Sequence, residues 1–318
     1  MSITDEKLWA FCPWRYTESE KRFLYLIATQ SGYFFHKHYA DFLKIDPNKR
    51  TAALIEKALR YGHIMQREYE HGHYKLYHLF SRRVYGRLGQ DNSSLRKPGS
   101  LNLATTRLMV TSFLMAHPNE AYFDSEAEKI EYFTQQWKIP LRALPQKRFR
   151  SRTDQDLVTR YFVEKFPIFT EKPGDPNSPV VFTYFEDSIP SVEGFKTYLN
   201  SYKPLLLGLN GNCKVIYAAR SDTNFTKAEA CFRGMLTEEF SPGELLHYFQ
   251  VRKQAEEKQF QRMTQADVRD WQQGLRRFAG KFYEEAFQQW KQTQTLPQNL
   301  TAMTISSGNQ FGTFLVNL

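Results

Sequence analysis

The 318 residues are 41% apolar, 24% charged and 15% aromatic, with 43 Lys and Arg against 34 Asp and Glu. No apolar run reaches the roughly 20 residues that a membrane-spanning helix needs, and Asp5, Glu6 and Lys7 stand where a signal peptide would be apolar. These features argue against a membrane protein or an exported one and predict a cytoplasmic protein of two or three domains.

The basic excess is concentrated in the first half of the chain. Residues 1–150 carry 24 basic and 15 acidic side chains, whereas residues 151–318 carry 19 of each. Within residues 44–97 the numbers are 12 and 5. A basic excess confined to one segment predicts that this segment binds a polyanion.

Three helices are predicted before residue 62. Thr17-Glu18-Ser19-Glu20 has the form of a capping box, and Gly32 is the expected end of the helix that it opens. A second helix is expected from about His36 to Leu43. The third has Asp46 as its expected N-cap and Pro47 as its first residue. Its apolar stripe, which we expect to be buried, consists of Thr51, Leu54, Ile55, Ala58 and Leu59.

A hairpin is predicted to follow these helices. Ile64 to Tyr69 and His73 to Leu79 have the pattern of two strands, joined around Glu70-His71-Gly72. The order helix, helix, helix, hairpin is that of a winged helix, whose third helix enters the major groove of DNA. The sequence therefore predicts a winged-helix DNA-binding domain in residues 1–90.

The rest of the chain alternates helices and strands. Residues 91–150 are expected to be a helical connector, in which residues 140–153 are basic and irregular. Residues 151–318 are expected to be an α/β domain with a C-terminal helical extension. The expected strands are Val158 to Phe169, Pro179 to Phe185 and Lys214 to Ala219, with a helix around Phe195 to Tyr202. The predicted fold class is α+β multidomain, with an N-terminal winged helix-turn-helix and long C-terminal helices.

A helical region is expected from Ser241 to about Thr293. Its apolar residues Trp271, Leu275, Phe278 and Phe282 are spaced 4, 3 and 4 apart. Such a stripe packs either into the core of its own chain or against a second copy, so a homodimer is one of the expected partners. Helix-turn-helix proteins often bind two half-sites as dimers, which favours the same expectation.

The candidate DNA contacts lie on the third helix and on the hairpin and helix after it. With the apolar stripe facing inward, Lys49, Lys57 and Arg60 are expected on the outer side. Arginine pairs with guanine through two hydrogen bonds, and lysine neutralises phosphates. The full set is Asn48, Lys49, Arg50, Lys57, Arg60, Arg67, His73, Lys75, Arg82 and Arg83. Double-stranded DNA is the predicted partner, although Glu56 on the same face would repel phosphate.

No metal ion or cofactor is predicted. Cys12, Cys213 and Cys231 are far apart and match no zinc or disulfide spacing. Neither of the pairs His36/His38 and His71/His73 is accompanied by a cluster of Cys or carboxylate residues, so we expect polar surface roles for them.

Two alternative functions remain open. The strand ending in Glu186-Asp187, with Asp154, Asp156 and Glu164 upstream, resembles the acid arrangement of metal-dependent PD-(D/E)xK nucleases. The lysine that those enzymes have two residues after the second acid is here Ser188, and Lys196 or Lys203 would have to replace it. No standard catalytic motif occurs, so no catalytic residue is assigned. The other alternative is a protein-interaction scaffold, since winged helices also bind proteins.

Two blocks of the sequence resemble the replication-relaxation family of mobile elements. The first runs from Gly32-Tyr33 through Arg60-Tyr61-Gly62-His63 to Tyr77-His78-Leu79. The second comprises Arg160 to Pro167, Phe182 to Asp187, Phe195 to Leu206 and Lys214 to Ala219. The resemblance implies a winged helix joined to a degenerate PD-(D/E)xK-like, restriction-endonuclease-like domain. It also implies an accessory role in plasmid replication, mobilisation or transcriptional regulation, with replication or mobilisation proteins as partners. The long helical segment 243–293 departs from that family.

Overall fold

The structure is a computed structural model that describes residues 5–69, 74–150, 157–172, 175, 178–186, 191–236, 241–296 and 309–318. It is mixed α/β, as the sequence predicts, with helices packed around sheets. Within the described ranges, every helix is too short or too polar to traverse a lipid bilayer.

The first part of the chain combines five helices with a three-stranded antiparallel sheet in the order β1-β3-β2. The capping box at Thr17 is confirmed, and the helix that it opens ends at Gly32 with a φ of 82°. The elements are α1 (Asp5–Leu8), α2 (Glu18–Leu26, extended by a π-helical turn, Ile27–Ser31), β1 (Tyr33–Phe35), α3 (His36–Leu43), α4 (Lys49–Arg60), β2 (Ile64–Tyr69), β3 (Tyr74–Leu79) and α5 (Arg82–Arg87).

The expected start of α4 was wrong by two residues. Asn48 is the N-cap, and its Oδ1 accepts hydrogen bonds from the backbone N–H groups of Arg50 at 2.8 Å and Thr51 at 3.3 Å. The Thr51 hydroxyl accepts in return from the Asn48 N–H. Asn48 and Thr51 therefore form a reciprocal capping box. Asp46 could not form one, because the residue three positions later is Lys49, whose ammonium group cannot accept a hydrogen bond from the Asp46 N–H. Pro47 therefore lies before the first residue of the helix.

The apolar stripe of α4 is buried except at one end. Thr51, Leu54, Ile55 and Ala58 are buried, whereas Leu59, expected to be buried with them, is 39% exposed. Each helical residue is rotated about 100° from the one before it. Leu59 lies one turn beyond Ile55 on the side of α4 that borders an open groove, which leaves it partly exposed.

The second part of the chain contains a five-stranded mixed sheet in the order β10-β9-β8-β7-β4. Strands β8, β9 and β10 are parallel, and β7 is antiparallel to both of its neighbours. The elements up to residue 236 are α6 (Leu101–Ala116), β4 (Ala121–Tyr122), α7 (Glu126–Glu131), β5 (Gln146–Arg150), β6 (Leu157–Tyr161), β7 (Ile168–Thr170), β8 (Val180–Glu186), α8 (Glu193–Gly208), β9 (Cys213–Ala219) and α9 (Phe225–Leu236).

Two strand expectations need correction. The segment expected to be irregular, 140–153, contains β5, which pairs with β6 in a separate antiparallel hairpin. The single strand expected from Val158 to Phe169 is two strands, β6 and β7. Phe162 and Lys165, which lie between them, have φ values of 50° and 55°. These left-handed residues interrupt the extended backbone that one continuous strand would need.

The C-terminal helical region is divided into α10 (Pro242–Glu256), α11 (Gln265–Arg277) and α12 (Lys281–Thr293), followed by β10 (Gln310–Leu315). The expected stripe therefore crosses a break, because α11 ends at Arg277 and Gly280 has a φ of 106°. Phe278 is buried, and Trp271, Leu275 and Phe282 pack against the same core. The stripe thus contacts the core of its own chain.

One hydrophobic core joins the first part of the chain to the sheet. Phe113 of α6 contacts Phe185 of β8 and Phe314 of β10, with ring centroids 5.8 and 5.1 Å apart. Val316 is 3% exposed in this core, which also contains Leu24 of α2 and Leu54 of α4. Side chains from both sides of the expected boundaries at residues 90 and 150 are therefore packed together.

Candidate nucleic-acid interface

The outer face of α4 carries cations that have no acidic partner. Lys49, Arg50 and Arg60 are exposed, and none of them has a carboxylate within 4 Å among the described residues. At 1.5 Å per residue, Lys49 and Arg60 lie about 17 Å apart along the helix axis. Glu56 is also exposed on α4, and its negative charge partly offsets the positive charge of these three residues.

Lys57, predicted from the helical period to be a cation of the outer face, is instead paired within the chain. Its Nζ is 2.6 Å from Glu20 Oε2 and donates to the Arg15 carbonyl at 3.2 Å. The ammonium also lies 5.5 Å from the centre of the Tyr16 ring. Lys57 therefore joins α4 to α2 and is not a free cation on the outer face.

Asn48 is also committed to the fold. Its side-chain oxygen caps α4, and its Nδ2 donates to the Asp46 carbonyl at 3.0 Å. Both polar atoms of the amide thus have partners within the chain. If the Asn48 side chain turned to contact a base, the hydrogen bonds that cap α4 would be lost.

The hairpin adds two exposed cations close to the start of α4. Arg67 on β2 and Lys75 on β3 are exposed, whereas His73 lies outside the described residues. Strand β2 begins just beyond the C-terminal end of α4, and Pro47, immediately before α4, lines one groove with Tyr69 and Lys75. The far end of the hairpin therefore lies towards Lys49 and Arg50.

A second basic group lies at the opposite end of α4. Arg82 and Arg83 at the start of α5 are exposed, and Arg82 is 3.8 Å from Asp91. The Ser81 N–H donates to the His63 carbonyl, which places the start of α5 next to the end of α4. Arg60, Arg82 and Arg83 thus lie at one end of α4, and Lys49, Arg50 and Lys75 lie at the other. Arg67 is the register partner of Leu76 and so projects from the opposite face of the hairpin to Lys75.

Buried histidines hold the elements that carry these cations. His63 Nδ1 lies 2.9 Å from the Tyr16 hydroxyl, and burial, with Arg83 nearby, lowers the pKa of His63 to about 4. The expectation that His38 lies on the surface was wrong. It is buried, accepts from the Phe35 N–H at 3.0 Å and lies 3.0 Å from Ser112 Oγ, and burial lowers its pKa to about 3.

Two further cations near the hairpin have no signal in the sequence. Lys37 on α3 and Arg220, immediately after β9, line the same groove as Lys75. Arg220 is 145 residues from Lys75 in the chain and follows a strand of the other sheet. Only the packing of the two parts of the chain places it there.

The acids considered for a nuclease do not form a metal site among the described residues. Glu186 accepts from the Tyr184 hydroxyl at 3.1 Å, and Glu164 pairs with Lys147 at 2.8 Å. Lys196 pairs with Glu193 at 2.5 Å. In the part of the chain that the structure describes, no three His, Cys, Asp or Glu side chains are grouped to hold a metal ion. Asp154, Asp156, Asp187 and Ser188 lie outside the described residues.

In comparisons with protein-family models, curated proteins and solved structures, the chain has no match.

Proposed function

We propose that residues 17–79 are a winged-helix module that binds double-stranded DNA through α4 and the β2–β3 hairpin. The order α2-β1-α3-α4-β2-β3 and the sheet order β1-β3-β2 support this assignment. The observation that carries the proposal is the exposed face of α4, where Lys49, Arg50 and Arg60 have no acidic partner among the described residues.

The dimensions of α4 suit the major groove. An α-helix with its side chains is about 10–12 Å wide, and the major groove is about 12 Å wide. Lys49 and Arg50 stand at the N-terminal end of α4, the end with which recognition helices contact bases. Lys75, and Arg67 from the other face of the hairpin, would then contact the neighbouring backbone. Arg60, Arg82 and Arg83 would contact phosphates farther along the duplex.

The proposed role is that of a cytoplasmic accessory factor in plasmid or mobile-element replication, mobilisation or transcriptional regulation. The sequence resemblance to the replication-relaxation family supports it. The same resemblance assigns a degenerate nuclease-like fold to the five-stranded sheet.

The salt dependence of duplex binding tests the proposal. Fluorescence anisotropy with a labelled duplex gives the slope of log K against log salt for wild type and for Lys49→Ala/Arg50→Ala. Removing one phosphate contact flattens this slope by about one, so we expect a change of up to about two.

A matched variant controls for the change in net charge. Lys227→Ala/Arg269→Ala also removes one lysine and one arginine, both exposed and far along the chain from α4. We expect its slope and affinity to equal those of wild type. Equally weakened binding in the two double variants would show binding through net charge alone, and wild-type binding by Lys49→Ala/Arg50→Ala would refute the assignment of α4.

A further inference from the structure

A groove of about 570 Å³ lies between α4 and the β2–β3 hairpin, and we name it the α4–hairpin groove. Its volume is within the range of about 300–1,000 Å³ that is usual for small-molecule sites. It is lined by Phe35, His36, Lys37, Pro47, Ala52, Ile55, Glu56, Leu59, Gln66, Tyr69, Lys75, Tyr77, Arg220 and Leu318. Residues from both parts of the chain therefore contribute to it.

The floor of the groove is apolar. Ile55, Tyr69 and Tyr77 are each at most 6% exposed, and Leu59 adds a 39% exposed side chain at the rim. An exposed leucine alone needs no explanation. Here, however, Leu59 continues the apolar stripe of α4 into a concave surface, which is the setting in which apolar ligands bind.

The rim of the groove is cationic. Lys37 on α3, Lys75 on β3 and Arg220 after β9 line the groove with one acid, Glu56. Two further acids lie beside these cations: Asp41 is one turn from Lys37 on α3, and Glu68 is the register partner of Lys75 on β2. Within the described residues, none of the three cations has a carboxylate within 4 Å. Three cations that gain no ion pair from the fold around one concavity favour an anionic ligand.

One polar atom of the wall also lacks a partner. His36 Nε2 is buried and has no hydrogen-bond partner among the described residues. Because buried polar groups are nearly always hydrogen-bonded in native proteins, this atom points to a ligand atom or an ordered water in the groove.

We propose that the α4–hairpin groove binds a small amphiphilic organic anion, with an aromatic or branched apolar body and a single carboxylate or sulfonate group. The apolar body packs against Ile55, Leu59 and Tyr77, and Lys75 and Arg220 neutralise the charge. A DNA phosphate does not fit as well, because a strongly hydrated group gains nothing from the apolar floor. This proposal does not depend on DNA binding.

The fluorescent probe 8-anilinonaphthalene-1-sulfonate tests the proposal, because it combines an aromatic body with one sulfonate. We expect saturable binding to the folded full chain at one site. Lys75→Ala/Arg220→Ala should raise the Kd about tenfold, the combined effect of two exposed ionic contacts. The uncharged probe N-phenyl-1-naphthylamine should bind that variant and wild type alike. The charge-matched Lys227→Ala/Arg269→Ala variant should bind the anionic probe as wild type does.

Two neighbouring positions on α4 separate this site from the DNA surface. Ala52 lines the groove, whereas Ala53 is exposed on the outer face. Ala52→Trp should fill the groove and abolish probe binding, and Ala53→Trp should leave probe binding intact while weakening DNA binding. Circular dichroism and the Tm establish whether each variant is folded. If Ala52→Trp does not fold, the Kd of Lys75→Ala/Arg220→Ala for the anionic probe decides whether the groove is the binding site.

Three results would overturn the proposal. They are unchanged probe binding in a folded Ala52→Trp variant, an unchanged Kd in Lys75→Ala/Arg220→Ala, and displacement of the probe by duplex DNA with equal effect on both probes. The last result would assign the groove to the DNA surface.

Discussion

At the scale of single residues, the partner of a side chain decides its role more than its position on a helix does. Lys49 and Lys57 are both basic residues of α4, two turns apart. Lys49 has no acidic partner in the described chain, whereas Lys57 is 24% exposed and pairs with Glu20, whose side chain is 6% exposed. Glu20 also accepts from the Thr17 N–H and so caps α2.

Lys57→Met should therefore lower stability and leave the electrostatics of DNA binding nearly unchanged. Removal of the ammonium leaves the Glu20 carboxylate largely buried with one fewer donor, at a cost of about 1–3 kcal/mol. Urea denaturation measures this change. Lys49→Met should do the opposite, with stability within about 0.5 kcal/mol of wild type and a salt slope lower by about one. A reduced slope in Lys57→Met would show that this lysine contacts phosphate.

The buried histidines make the protein sensitive to acid. His38 has a folded-state pKa of about 3 and an unfolded value near 6.5, so below pH 6.5 the unfolded state binds a proton that the folded state does not. The stability that His38 contributes is present above pH 6.5 and is lost as the pH falls towards 3, by about 1.4 kcal/mol per pH unit.

His38→Gln should remove this dependence. The glutamine oxygen can accept the hydrogen bond from the Phe35 N–H but does not titrate. Unfolding free energies measured between pH 7.5 and 5 should fall less steeply in the variant, by about 2 kcal/mol over that interval. His63, with a pKa of about 4, remains in both proteins and contributes equally. Parallel pH profiles would mean that His38 is not buried and neutral in solution.

At the scale of elements, local signals in the sequence predicted most of the helices and strands named here, although the start of α4 was misplaced by two residues. The capping box at Thr17, the bounds of α3 and the strand after Lys214 were all recognised from neighbouring residues. The pairing of β5 with β6 was missed, because the basic Lys147-Arg148 segment has no apolar alternation of its own. The break between α11 and α12 was missed because an apolar spacing of 4, 3 and 4 continues across it.

The candidate site shows the same limit. The exposure of Lys49, Arg50 and Arg60 follows from the helical period, and the structure agrees with it. The sequence did not predict the roles of Asn48 and Lys57. The Asn48 amide is occupied by backbone N–H groups of α4, and the Lys57 ammonium is occupied by the Glu20 carboxylate. Arg220 comes from a distant strand, and only the tertiary packing reveals it. Helical phase therefore predicts which face is exposed, but not which of its side chains are already used.

The cap of α4 gives a prediction at this scale. Asn48→Ala should lower the unfolding free energy by about 1 kcal/mol, because two backbone N–H groups lose their acceptor. Asn48→Ser should retain most of the stability, since serine caps helices about as well as asparagine. Thermal unfolding measures both. If Asn48→Ser binds duplex DNA as wild type does, the asparagine acts through the cap; if it loses affinity at wild-type stability, the amide contacts DNA.

At the scale of the whole molecule, β10 ties the end of the described chain to its beginning. β10 extends the sheet beside β9, and Val316 is buried in the core that α2, α4 and α6 share. The unfolding of the proposed DNA-binding module is therefore coupled to a strand more than 200 residues away in the chain.

Val316→Ala should lower stability by about 2 kcal/mol, since it leaves a cavity in this shared core. Its neighbour Leu315 is 49% exposed, so Leu315→Ala is a matched control that should stay within about 0.5 kcal/mol of wild type. Denaturation followed by Trp14 fluorescence, with the other tryptophans replaced by phenylalanine, reports the N-terminal part. An unchanged midpoint there would show that the two parts unfold independently.

The late position of β10 has a consequence during synthesis. A ribosome adds about 5–20 residues per second, so β10 emerges about 5–20 s after β9 is complete. Throughout that interval the edge of β9 is unpaired, because β10 has not yet been added. The ring of Phe113 likewise lacks its contact with Phe314 of β10. We expect the nascent chain to require a chaperone at this stage, and to acquire its full affinity for DNA only after β10 has paired with β9.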